Sequence, residues 1–334
     1  INFDTRTRLQ VVQDMVLNGV DAVPTIHPHS FLPHKKYQNP DALFPLSGVS
    51  KKVTIYSNEN GKYAVYMSDR YGFNNPDSEW DSPQLKWLLT GDSFTHGSAV
   101  QQGEDIASKI RLMTDESAIN LGIGGNGPLI ELAILKEYAE FLRPEKVIWL
   151  YYEGNDLISN LSDEKNNPVL IQYLQNGFSQ NLINRQQYID QELLNIIERN
   201  KTRNFIPDWM RLSQVLSSIN SYLKNKRQDV ADFEIFRKIL NSAKNRVEEW
   251  GGEFYFIYLP EFYRYNTIVD HDLYRKKHQV IGLVRDLGIP VVDIHEEVFS
   301  ENPDPLSFFP LRIFGHYTAE GYHQVAESIV KSIQ

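Results

Sequence analysis

From residue 85 onward, short apolar runs alternate with segments whose apolar residues recur at helical spacing. Leu85–Thr90, Ala118–Leu121, Val147–Tyr152, Phe254–Leu259 and Pro290–Asp293 are each too short for a helix, and four of them close at glycine, acid or proline. Such runs belong to strands covered on both faces, so the pattern predicts a five-stranded parallel sheet in a three-layer α/β/α sandwich. The covering helices show as a stripe of Ile130, Ile134, Tyr138 and Phe141, and as Val325, Ala326, Ile329, Val330 and Ile333 behind a Thr318 N-cap.

Two regions break the alternation. Residues 1–84 lack strong periodicity and read as an N-terminal extension. It holds a proline- and histidine-rich stretch at His27–Lys36 and a β-hairpin over Lys52–Met67, with Asn58–Gly61 in its middle. Residues 160–229 are polar and Asn/Gln-rich, with an amphipathic helix near Tyr188–Ile197 and an aromatic turn at Phe205–Trp209. This helical insertion is a candidate lid on the domain that spans 85–334.

Composition narrows the function classes. With 41% apolar and 12% aromatic residues in 334, the chain has ample core material. The formal charge of −9 repels phosphate backbones and anionic lipid, which argues against nucleic acid as a partner. The absence of cysteine excludes disulfides, thiolate catalysis and cysteine-ligated zinc. The longest apolar run, around Val147–Tyr152, falls far short of the ~20 residues a membrane span needs. The chain begins at Ile1, consistent with an N-terminal signal or anchor removed upstream, and the reading leans towards an extracytoplasmic or cell-envelope setting.

In an open parallel sheet, ligands gather beyond the carboxyl ends of the strands, so the strand exits carry the candidate chemistry. The first exit, Gly91-Asp92-Ser93-Phe94-Thr95-His96-Gly97, puts Ser93 where a nucleophile could stand, although a lone strand-exit serine also caps helices. At the second exit, Gly122-Ile123-Gly124-Gly125-Asn126-Gly127 is a loop whose amides could meet an anion. It matches a dinucleotide fingerprint, but it follows the second strand and lacks the ribose-binding acid ~20 residues on, so no cofactor is expected. The third exit, Glu153-Gly154-Asn155-Asp156, offers the Asn155 amide as an oxyanion donor. Ahead of the last helix, Phe314-Gly315-His316-Tyr317 offers His316 as a general base.

These four blocks, in this order, resemble those of the SGNH hydrolases, also called GDSL-type esterases, over residues 85–334 apart from the insertion. The resemblance implies a flavodoxin-like SGNH fold and a serine esterase that needs no cofactor. It makes Ser93 the nucleophile and His316 the base, with the Ser93 amide, the Gly125 amide and the Asn155 side chain as oxyanion donors. It points to small acyl esters, acetyl first, on a small molecule or glycan; acyl transfer to polysaccharide and a catalytically impaired glycan-binding protein are the alternatives. Ser93 does not lie in Gly-x-Ser-x-Gly, so the nucleophile elbow of α/β-hydrolases does not describe it.

One position departs from the family. The aspartate expected two or three residues before the histidine is replaced by Phe314 and Ile313. Three arrangements then compete, in this order: a Ser-His dyad oriented by a backbone carbonyl, a carboxylate from elsewhere with Asp293 as first candidate, and lost catalysis. His27, His29 and His34 have spacing that could ligate a metal, but no carboxylate pattern accompanies them, and a structured loop without metal is expected. The aromatics of Phe254–Phe262, with Trp209 and Trp250, are read as core rather than sugar-stacking surface.

Overall fold

The computed structural model describes residues 3–203, 232–266 and 276–333. A small sheet in the N-terminal region joins β1 (Ala22–Pro24), β2 (Val53–Ile55) and β3 (Val65–Met67). β2 and β3 pair antiparallel as the expected hairpin, and β1, which the sequence pattern does not announce, pairs parallel to β2. The main sheet contains β4 (Trp87–Thr90), β5 (Ala118–Asn120), β6 (Lys146–Tyr152), β7 (Glu253–Leu259) and β8 (Val291–Asp293), all parallel, in the order β5-β4-β6-β7-β8. That order is the flavodoxin-like one, in which the chain reverses direction across the sheet between β4 and β6.

Alternation along each strand divides the interior in two. Val147, Trp149 and Tyr151 of β6 join a core with the helices Pro128–Ile134, Phe233–Glu249 and Lys277–Asp286. Ile148, Leu150 and Tyr152 face the opposite core, closed by the helices Ile106–Thr114 and Ala319–Ile333. Thr318 caps the last helix through its hydroxyl, which accepts from Gly321 N at 3.1 Å. Phe141 departs from its expected stripe. A π-turn over Leu135–Ala139 adds a residue to the helix and rotates the turn beyond it, so Ile130, Ile134 and Tyr138 are buried while Phe141 is 76% exposed.

The N-terminal region does not lie loosely on this sandwich. Phe31, Tyr37, Phe44, Leu46, Phe73 and Trp80 belong to the same core as β6, and so do Leu170, Tyr173, Ile189, Leu193 and Ile197 of the insertion. The expected amphipathic helix runs over Gln186–Arg203. It is bonded back to the extension, with Asp190 accepting from Ser50 N and Oγ at 2.8 and 2.6 Å. The described part of the insertion therefore builds the core on one face of the sheet; the aromatic turn Phe205–Trp209 lies outside the described residues. Among the described residues no helix is long and apolar enough to cross a membrane.

This shared core makes a prediction. Truncating the wholly buried Phe44 to alanine should cost about 3–5 kcal/mol in a single cooperative urea transition. A separate early transition, or a loss below about 1 kcal/mol, would show the extension to be an independent appendage.

Candidate active site

The strand order reverses between β4 and β6, the place where open parallel sheets bind ligands, and it sets the loops leaving β5, β4 and β6 side by side at the carboxyl edge of the sheet. β4 ends at Thr90, and a short helix, Ser93–His96, starts just beyond Gly91 and Asp92. Asp92 caps it, its Oδ1 accepting from Phe94 N at 2.9 Å, and so fixes Ser93 at the first helical position. Ser93 is 9% exposed.

His316 reaches this serine from the far end of the chain. Its Nε2 lies 2.7 Å from Ser93 Oγ, nearer than the Asp92 carboxylate, which lies at 3.2 Å and can also accept from the hydroxyl. The Phe94 ring packs 4.6 Å from the imidazole centroid and limits its rotation. The Nδ1 edge meets a carboxylate that the sequence pattern does not point to: Glu59 Oε1 lies 2.6 Å from Nδ1, and Glu59 Oε2 accepts the backbone N–H of His316 at 2.8 Å. Burial alone would push the Glu59 carboxyl up, but hydrogen bonds and charge from His316 outweigh it and hold the group below the usual carboxylate range. An ionised Glu59 fixes the proton on Nδ1 and leaves Nε2 as an acceptor.

Glu59 sits in the loop of the β2–β3 hairpin. Ser57 anchors that loop, accepting from Ala99 N at 2.9 Å and Ser98 Oγ at 3.0 Å, while Asn60 Nδ2 donates to Ala99 O at 2.9 Å. The bare Cα of Gly315 admits the carboxylate, since a Cβ there would stand 2.7 Å from Glu59 Oε2.

Two expectations about His316 are corrected by this geometry. No backbone carbonyl takes its Nδ1 in a dyad, because a carboxylate occupies that position. Asp293 is not the partner either. It ends β8, three strands from β4 and so roughly 14 Å across the sheet, and its carboxylate is held by Lys277 at 2.7 Å. Phe314 and Ile313, where an acid is expected, are 58% and 55% exposed, with the Phe314 ring stacked on Tyr263.

Gly125, with φ +80°, lies in the loop after β5, and Asn155 lies at the exit of β6. Among the described residues neither the Gly125 N–H nor the Asn155 side-chain amide donates a hydrogen bond, so both donors are uncommitted. The two loops are tied together by Asn160 Nδ2, which donates to Asn126 O at 2.8 Å. The N–H groups that a dinucleotide phosphate would need, on Gly127, Leu129 and Ile130, are taken by the Glu164 carboxylate. Of the three loop histidines, His27 packs edge-on to Tyr56, His29 Nε2 lies 3.4 Å from Asp163 and His34 packs on Tyr37.

Beneath the site, Glu131 and Asp156 are wholly buried, and neither Glu131 oxygen nor Asp156 Oδ1 has a hydrogen-bond partner among the described residues. Burial, reinforced by Asp156, Asp92 and Glu164, holds the Glu131 carboxyl well above its ordinary value; burial and Asp92 do the same for Asp156.

Among known proteins, no family model matches the chain, and no curated protein matches it. Solved structures do. A putative lipolytic protein of the G-D-S-L family from Desulfitobacterium hafniense DCB-2 aligns with TM-score 0.43 and 12% identity over 75% of this chain and 100% of that one. The lipase/acylhydrolase from Enterococcus faecalis aligns with TM-score 0.44 and 15% identity over 75% and 95%. The acetyl xylan esterase AlAXEase aligns with TM-score 0.43 and 12% identity over 75% and 100%. Likenesses this distant say nothing of substrate or mechanism, which rest on the site itself.

The buried acids generate a pH prediction. A carboxyl raised in the folded state adds stability that is complete below the unfolded value, near 4, and is lost as pH climbs through the folded value. The melting temperature should therefore fall as pH rises above the ordinary carboxyl range, and Glu131→Gln should flatten that slope; an unchanged slope would contradict the assignment.

Proposed function

We propose that the protein is a serine esterase of the SGNH type that hydrolyses small acyl esters, acetyl first, carried on carbohydrate. The observation that carries this reading is the unbroken relay from Ser93 Oγ through His316 to Glu59, at 2.7 and 2.6 Å. The ordered serine, glycine, asparagine and histidine blocks support the same reading.

A serine hydroxyl attacks an ester only as its proton departs. In the proposed reaction Ser93 Oγ bonds to the carbonyl carbon while its proton passes to His316 Nε2. Glu59 stabilises the imidazolium through Nδ1–H and keeps the ring in line. The former carbonyl oxygen becomes an oxyanion, for which the Ser93 amide, the Gly125 amide and the Asn155 side chain are the assigned donors. Each such donor is worth about 3–4 kcal/mol of barrier. Collapse expels the alcohol, protonated by His316, and leaves an acyl-Ser93. Water, deprotonated by the same imidazole, then releases the acid and restores the serine. A relay already at hydrogen-bond distances gives no support to the alternative of lost catalysis.

A fluorophosphonate should label Ser93 stoichiometrically, and p-nitrophenyl acetate should be turned over with loss of both signals in Ser93→Ala. Wild-type protein that takes no label and releases no p-nitrophenol would end the reading.

A further inference from the structure

The N-terminal region brings a second feature to the glycine loop. A cavity of about 850 Å³ lies between the His-rich stretch and the Gln186–Arg203 helix, within the size range of small-ligand sites. Its basic and acidic lining residues are Arg8, His27, His34, Lys36, Glu192 and Arg199, with the Tyr37 hydroxyl beside them. Arg8 and Lys36 thus face one carboxylate, on a chain whose net charge is −9, while Arg199 has interactions of its own. Glu192 is already committed, to Lys36 at 2.5 Å and to the Tyr37 hydroxyl at 2.8 Å. Arg8 makes no ion pair with a carboxylate among the described residues; its polar contact there is Nη1 to Thr25 O, at 3.4 Å. A locally positive cavity in an acidic protein draws and holds anions.

A second observation joins this cavity to the candidate active site. His27 lines it, and the same ring rests on the loop that carries Gly125. A Cβ at Gly124 would stand 3.0 Å from His27 Cε1, and one at Gly125 would stand 3.9 Å from its Nδ1. His27 Nε2 is shielded from solvent yet has no hydrogen-bond partner among the described residues, a costly state for a polar atom unless a ligand supplies the missing bond. One imidazole therefore separates the cationic cavity from the loop assigned to the oxyanion.

We propose that this cavity binds an anionic sugar, its carboxylate or phosphate held by Arg8 beside the His27 imidazole, as part of the glycan whose ester Ser93 opens. Attaching the anion to the ester substrate rests on the esterase reading; the anion site itself does not. Arg8 supplies a planar fork suited to two oxygens of a carboxylate or phosphate.

The test is calorimetric titration of the full protein with trigalacturonate, glucose 6-phosphate and the neutral cellotriose, at low and high salt. None of these probes carries an ester, so a failure of esterase chemistry leaves the result readable. Trigalacturonate should bind roughly tenfold or more tightly than cellotriose, weaken with salt, and lose roughly tenfold or more in Arg8→Gln, with part of the affinity kept in Arg8→Lys. Binding of glucose 6-phosphate with the same dependence on Arg8 and salt, but not of trigalacturonate, supports the anion site and identifies phosphate as its charge. Equal affinity for cellotriose, indifference to Arg8→Gln, or no binding of either anion overturns the proposal.

Discussion

The Glu59 carboxylate is bonded at once to the ring and to the backbone of His316, and the arrangement of the site depends on that double contact. A histidine on a loop ahead of a helix can turn about two side-chain bonds, and as a base it is useful only in one orientation and one tautomer. Glu59 fixes both. The loop holding Glu59 is bonded to Ser98 and Ala99, just beyond the helix that begins with Ser93, so serine and carboxylate share one mount. The last helix joins the same mount, since the Tyr322 hydroxyl donates to Ser98 O at 3.1 Å.

This arrangement gives the N-terminal region a physical purpose. A short hairpin is marginal by itself in water, and a carboxylate on its loop would wander. Here the hairpin lies in a region whose Phe31, Tyr37 and Phe44 are locked into the core beside β6, and whose polar groups are bonded to the Gln186–Arg203 helix. Extension and insertion thus support each other on one face of the sheet, and together they wall the cationic cavity beside the glycine loop.

The range of each interaction decides how legible it is in the sequence. The five strands of the main sheet announce themselves because burial on both faces demands near-continuous apolar runs, and each lies within two residues of its expected bounds. Ser93 and His316 stand out because strand exits and helix starts carry local punctuation. Phe141 falls outside its stripe because a π-turn leaves no mark in an apolar pattern. Glu59 leaves no usable signal. It is 257 residues from His316, on a turn among Asn58, Asn60 and Gly61, where a glutamate looks like any solvated loop residue. Asp293 has the better local credentials, a strand-end carboxylate in the last part of the sheet. Only the strand order, with β8 at the far edge beside Lys277, removes it from contention.

The steady-state kcat/KM for p-nitrophenyl acetate, measured for Glu59→Gln beside Asp293→Asn, tests this account most directly. Glu59→Gln should lose on the order of 10³–10⁴ while remaining folded, as expected when a triad histidine loses its orienting acid, and Asp293→Asn should match the wild type. A Glu59→Gln protein as active as the wild type, or a collapse of activity confined to Asp293→Asn, would contradict it.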